Sequence, residues 1–337
     1  MVQTGEMHMR INKIEIVLIS IIVAYSIFVG TMNRAFLNID SLFDIIRSSS
    51  SVMILAMGLL VIMLSGGIDI SFMAIALFSS YTATKILIDN GLTSVMLAFM
   101  IAVSIGVLLG LINALLISWL RLPPFIITLG TQNLFHGVMA TFIGARTYGA
   151  GRLPPTYSEF GSSTLFKIQT ASGSVGLTTH VLFVAFIIFL TWFIIQKTMV
   201  GRGIVAMGNS EDAAVRAGFN PLKLRLFAYG YMGFLAGIAG VIYVCQVNAV
   251  YPDKLVGEEL MVIAGAVIGG VSVSGGKGKV LGVVLGIFII YLLNSTLIFI
   301  GLTSSWNSLF VGTILTISIA LTSYQEKMKN QRDFIFN

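Results

Sequence analysis

The sequence predicts an all-α polytopic membrane protein, a single transmembrane domain over residues 1–337 with about ten spanning helices. Three observations carry that prediction. The first is composition: 56% of residues are hydrophobic and 10% charged, against about 25% charged in soluble domains, and mean hydropathy is +0.95. The second is run length, since apolar stretches near the roughly 20 residues that cross hydrocarbon recur along the chain. A transmembrane barrel would show short alternating segments instead, and none are evident. The third is charge placement. If the first helix starts inside, thirteen of the twenty Lys and Arg residues fall on the cytoplasmic side, which satisfies the positive-inside bias and puts both termini there. The net charge of +6 is then explained without nucleic acid.

Taken in order, the helices are expected at 14–32, 51–65, 70–88, 93–119, 124–144, 180–198, 225–247, 258–273, 279–299 and 304–323. Arg10 and Lys13 precede the first apolar run as they would in a signal peptide, but no A-x-A site follows, so the run reads as a retained helix. FLNIDSLFDIIR (36–47) reads as a short amphipathic interfacial helix capped by Asp40 or Ser41.

In SGGIDIS (65–71) a glycine pair breaks the chain just before Asp69. A carboxylate at membrane depth costs about 2.5–3.5 kcal/mol on insertion scales, so it is either paired or in contact with water. Two compatible readings follow. In one, Asp69 lines a pathway through a broken helix; in the other it caps the free N–H groups of the third helix.

Pro123-Pro124 opens the fifth helix, and Thr128, Thr131, Gln132, Asn133 and His136 form a polar stripe along it. That stripe either faces a pathway or joins helices by hydrogen bonds. His136 has no further ligand nearby in sequence, so no metal site is expected. Residues 145–179, rich in Gly, Ser and Thr, read as an extracellular loop forming an irregular cap. Cys245, the single cysteine, lies in an apolar run and excludes an internal disulfide.

Gly106/Gly110 in the fourth helix and Gly282/Gly286 in the ninth share the G-x-x-x-G spacing of close helix packing. The two helices run in opposite directions, as an inverted repeat of helices two to five and seven to ten requires. GAVIGGVSVSGGKGKVLG (265–282) has no G-x-x-x-x-G-K-[ST] register. It is a tight cytoplasmic turn, and the chain is expected not to hydrolyse ATP.

The polar interruption at 198–225 is the longest cytoplasmic connection. Within it GNSEDAAVRAG (208–218) has the ends of a short helix. Asn209 or Ser210 suits the N-cap, Glu211 and Asp212 the positive dipole end, Arg216 the other end, and Gly218 the stop. Ala213 and Ala214 leave a smooth surface for a partner, and Asn220-Pro221 redirects the chain.

SGGIDIS, PPFIITLGT, the long cytoplasmic loop and GGVSVSGGKGKVLG, in that order, resemble the permease subunits of bacterial ATP-binding-cassette importers for ribose and related monosaccharides, a family that includes the autoinducer-2 permeases. The likeness runs from about residue 36 to 321. It implies a cell (inner) membrane permease domain and a second permease protomer, identical or homologous. It also implies two cytoplasmic ATP-binding subunits and a periplasmic or lipid-anchored sugar-binding protein that delivers a monosaccharide-like substrate. By the same likeness 198–225 is the coupling loop, with Gly208, Asn209, Glu211, Ala213, Ala214, Arg216 and Gly218 at the ATPase contact. An uncharged solute needs hydrogen-bonding liners, and Asp69, Asn113, Thr128 and Asn133 are the candidates. No catalytic residue, cofactor or metal is expected. The rival class is a secondary transporter or channel without an ATPase, which would place ionisable residues in several helices; apart from Asp69 these helices hold almost none.

Overall fold

The computed structural model describes residues 13–170, 173–297, 299–303, 306, 309–313 and 316. The helices are α1 (Lys13–Met32), α2 (Ile39–Leu64), α3 (Phe72–Asp89), α4 (Val95–Leu120) and α5 (Pro124–Val138), the last continued by a π-turn at Met139–Ile143. α6 (Pro155–Ser162) follows, then strands β1 (Thr164–Thr170) and β2 (Gly173–Thr178). α7 (His180–Lys197), α8 (Met199–Asn209), α9 (Glu211–Arg216), α10 (Pro221–Val247), α11 (Glu259–Ile268) and α12 (Val280–Thr296) complete the order. Among the described residues, α1, α2, α3, α4, α7 and α10 are long and apolar enough to span a membrane, with α11 and α12 as shorter apolar helices. The expected tenth helix, 304–323, lies largely outside the described residues.

α2 is the centre. Within its most apolar 18-residue window 83% of residues are buried, against 22% for α4 and 17% for α7. α1, α4 and α7 instead present large side chains such as Ile27, Leu108 and Phe186 outward, a surface suited to lipid.

α10 packs on α3 and α4, and α2 packs on α11 and α12. α3 and α4 are neighbours, as are α11 and α12, and α2 and α10 meet between the two sets. This is the pairing that exchanging α2–α4 with α10–α12 preserves. The matched glycine pairs that suggested the repeat are not used equivalently, however. Gly106 and Gly110 of α4 lie against the backbone of Gly233 and Tyr229 in α10, whereas Gly282 and Gly286 of α12 lie against Gly269, which caps the end of α11, and Gly265 within it. The spacing reports close approach, not a specific partner.

Three local expectations are corrected. FLNIDSLFDIIR is not a separate interfacial helix: after a 3-10 turn at Arg34–Leu37, the segment from Ile39 onward is the first part of α2 itself. The reason is burial, because Phe43 and Ile45 face the interior. The 145–179 segment is not an irregular cap. It carries α6, entered by Pro155 at its first turn, and an antiparallel hairpin pairing Phe166 with Leu177 and Ile168 with Val175. Phe166 meets Phe43 edge-on at 6.0 Å, and the buried Tyr157 hydroxyl lies 3.2 Å from Thr84 Oγ1. Finally, the 198–225 loop holds two helices rather than one. α8 was masked in sequence by Gly201, Gly203 and Gly208, since glycine costs a helix roughly 1 kcal/mol. Thr198 caps it by accepting from Gly201 N–H at 3.1 Å, and Phe219 and Leu224 pack where a Cβ on Gly203 would be.

Candidate functional site: the broken helix and the loop end

The 65–71 break is held by side chains, all fully buried. Asp69 Oδ1 accepts from the Ser71 N–H and from its hydroxyl, each at 2.7 Å. Asn113 of α4 donates through Nδ2 to Ser71 Oγ at 2.7 Å. Thr128 of α5 accepts from the Ile70 N–H at 3.3 Å, and its hydroxyl lies 3.4 Å from the Ile68 carbonyl. Asp69, Asn113 and Thr128, chosen separately from sequence, therefore come together around one segment, each at 0% exposure. Asp69 meets the backbone only at the Ser71 N–H, ahead of α3; the capping reading is corrected, because Ser71 is the N-cap and no side chain caps the first turn of the helix. Asn133 is apart from them: it is exposed, with Nδ2 donating to the Leu129 carbonyl at 2.9 Å.

The rest of the α5 stripe joins elements. Gln132 donates to Glu259 Oε1 of α11 at 2.8 Å, and His136 Nε2 lies 3.0 Å from the Pro252 carbonyl. Glu259, which sequence reasoning passed over, also accepts from the Gly257 N–H at 2.9 Å. Its signal was available, as a second acidic residue at the start of an apolar run. Among the described residues no group of His, Cys, Asp and Glu is placed to hold a metal ion.

At the loop end, α9 begins on Ser210, whose hydroxyl accepts from the Ala213 N–H at 3.2 Å. It stops in a paired C-terminal motif, with Phe219 N–H to the Ala214 carbonyl at 3.0 Å and Gly218 N–H to the Val215 carbonyl at 2.9 Å. Gly218 has φ +87, which only glycine adopts without strain. Gly218→Ala is therefore expected to lower loop stability by about 1 kcal/mol, read as faster amide exchange confined to α9.

Ala214 is buried under α9, while Asp212, Ala213, Val215 and Arg216 face outward, Val215 at 52% exposure. Glu211 forms an ion pair with Arg225 of α10. Asn209 is exposed and donates to the Val205 carbonyl at 2.8 Å. Gly208 is only half-buried by area yet touches two other segments. The predicted loop residues thus divide into an outward surface (Ala213, Arg216), a brace to α10 (Glu211), an inward anchor (Ala214), a stop (Gly218) and an inner joint (Gly208, Asn209). The 265–282 segment closes as a turn, with Ser272 N–H to the Lys277 carbonyl at 2.9 Å. Lys279 beyond it pairs with Glu15 of α1 at 3.6 Å.

The family profile described as branched-chain amino acid transport system / permease component matches residues 41–319. The autoinducer 2 import system permease protein LsrC of Escherichia coli O9:H4 (strain HS) is 28% identical over 304 residues, 90% of this chain and 85% of that protein. LsrC of Yersinia pestis (strain Pestoides F) is 28% identical over 304 residues, 90% and 83% of the two chains. The ribose import permease protein RbsC of Haemophilus influenzae (strain ATCC 51907 / DSM 11121 / KW20 / Rd) is 28% identical over 297 residues, 88% and 89%. No solved structure matches significantly.

Proposed function

We propose, from the premise that this chain belongs to the branched-chain amino acid transport system / permease component family, that it is the membrane-spanning permease of an ATP-binding-cassette importer. Its solute is a monosaccharide or sugar-like molecule of the ribose or autoinducer-2 class. An extracellular binding protein delivers the solute, and two ATP-binding subunits drive transport through a pair of permease protomers in the inner membrane, with both termini cytoplasmic. The observation that carries the reading is α9: a well-capped helix presenting a short outward surface, braced by Glu211–Arg225 at the base of a spanning helix. A mere connection would need no such construction.

The substrate class follows the names of the relatives, of which the alignments cover 85% and 89%, rather than the amino-acid wording of the family description. It also suits the chemistry. A zwitterionic amino acid calls for charged partners, and the α5 stripe offers amide and hydroxyl groups. In this reading Asp69, Asn113 and Thr128 line the inner pathway from behind by fixing the break, and Asn133 reaches solute directly.

Uptake of radiolabelled ribose and of leucine into vesicles bearing the chain with its native partners tests this. ATP-dependent ribose uptake that leucine does not compete with is expected. Uptake that proceeds without any ATPase would instead assign the chain to secondary transport. Within the same assay, Asn133→Ala is expected to raise KM for the sugar several-fold without changing assembly.

A further inference from the structure

Three glycine-bearing segments, far apart in sequence, meet at one point beneath α2. Gly208, at the end of α8, lies so close to the Leu64 carbonyl that a Cβ there would overlap it, and that Cβ would also lie 2.7 Å from Gly276 N. A Cβ on Gly275 would sit 2.7 Å from Gly66 Cα and 2.8 Å from the Gly208 carbonyl, and one on Gly66 would sit 3.3 Å from Gly208 Cα. Gly66 holds φ +86, so its conformation requires glycine. The Asn209 side chain covers the place where Gly276 would carry a Cβ. A backbone bond, Gly276 N–H to the Leu64 carbonyl at 3.1 Å, crosses the junction. A second tie runs alongside: Arg225 of α10 holds Glu211, and one turn further on the Tyr229 hydroxyl lies where a Cβ on Gly67 would come within 3.0 Å.

We infer that this backbone-to-backbone junction of Gly66, Gly208 and Gly275–Gly276 is the linkage by which movement of the α8–α9 loop displaces the broken helix. Side chains at a contact yield by changing rotamer. Peptide units packed without side chains between them do not, so displacement of α8 is carried into the end of α2 and into the turn before α12 with little slack. The Asp69–Ser71–Asn113 cluster hangs directly from the same break, so the loop and the interior of the bundle move as one body. Gly66, Gly208, Gly275 and Gly276 are positioning residues in this account, which rests on the coupling reading above.

The test uses Gly275→Ala, whose added Cβ would press on Gly66 Cα at 2.7 Å, in the full chain assembled with its ATPase in vesicles. The ATPase is expected to co-purify and to hydrolyse ATP as with the parent chain, while sugar uptake falls at least tenfold. Normal uptake by a variant that still binds ATPase overturns the linkage and leaves the coupling reading intact. An ATPase that does not bind the parent chain overturns both. Should Gly275→Ala fail to accumulate, hydrogen exchange on the parent complex decides. The Gly276 amide is expected to keep its protection, within a factor of two, between nucleotide-free and ATP-bound states. Exchange tenfold faster in either state would mean that the junction opens during the cycle, and the linkage would be refuted.

Discussion

Alanine at both Gly106 and Gly110 is expected to remove most of the folded permease from the membrane. A Cβ on Gly106 would overlap the Gly233 carbonyl oxygen and lie 3.2 Å from Gly237 N, and one on Gly110 would overlap the Tyr229 carbonyl oxygen and lie 3.3 Å from Gly233 Cα. The obstructing atoms are backbone on α10, so neither rotamer change nor local collapse relieves them. Helix association in lipid depends on this close approach, because lipid and leucine are equally apolar and the hydrophobic effect does not distinguish them. Overpacking costs about 1–3 kcal/mol at each site, against a total stability of about 5–15 kcal/mol. Gly130→Ala is the control, as nothing lies within 4 Å of that position, and it is expected to be neutral. Fluorescence-detected size exclusion of the solubilised protein reads both. A double variant that stays as abundant and monodisperse as the parent would show that the α4–α10 seam has room to spread.

The second large effect is at Asp69, where chemistry rather than shape decides. Asp69→Ala removes the acceptor of two hydrogen bonds at 2.7 Å, each worth about 1.5–3 kcal/mol when one partner is charged. It also leaves the Ser71 N–H buried without that partner. Asp69→Asn keeps an oxygen in the Oδ1 position, so it is expected to cost less than alanine, losing the charge assistance and placing an amide NH2 where the buried Oδ2 has no hydrogen-bond partner. Thermal unfolding in detergent is expected to show a large drop for alanine and a smaller one for asparagine. Ser71→Ala together with Asp69→Ala is expected to cost less than the sum of the two single changes, because the partners are removed together. Equal drops for Ala and Asn would mean that the negative charge itself, not the acceptor geometry, holds the break.

Much of this architecture was readable because hydrophobic length is imposed by the bilayer rather than by tertiary packing. α1, α3, α4, α7 and α10 lie within a few residues of their expected bounds for that reason. The signals that failed are those a membrane does not dictate. The start of α2 was missed because polar Asp40, Ser41, Asp44 and Arg47 outweighed the inward-facing Phe43 and Ile45. The hairpin at 164–178 had its signature in the alternation of Phe166, Lys167, Ile168 and Gln169. That pattern was hidden in a stretch whose small polar composition suggested a loop.

For the site, the residue types were legible but their meeting was not. Asp69, Asn113 and Thr128 stand on three elements, and nothing in sequence spacing says that they surround one break. The 265–282 glycines read as a turn, and those between α11 and α12 form one, Gly265 and Gly282 standing in the two helices. That the turn would abut Gly66 and Gly208 is a tertiary fact that only close backbone packing reveals.

The most direct test of the central claim, that a partner ATPase drives this permease through the 198–225 loop, is vesicle uptake with Glu211→Arg and Arg216→Glu combined. Glu211→Arg places like charges together at Arg225, and Arg216→Glu inverts the outward surface of α9, while the buried Ala214 and the spanning helices are untouched. ATP-driven sugar uptake is expected to be lost, and the ATPase no longer to co-purify, with the permease still folded in the membrane. Undiminished uptake with the ATPase fully retained would contradict that claim.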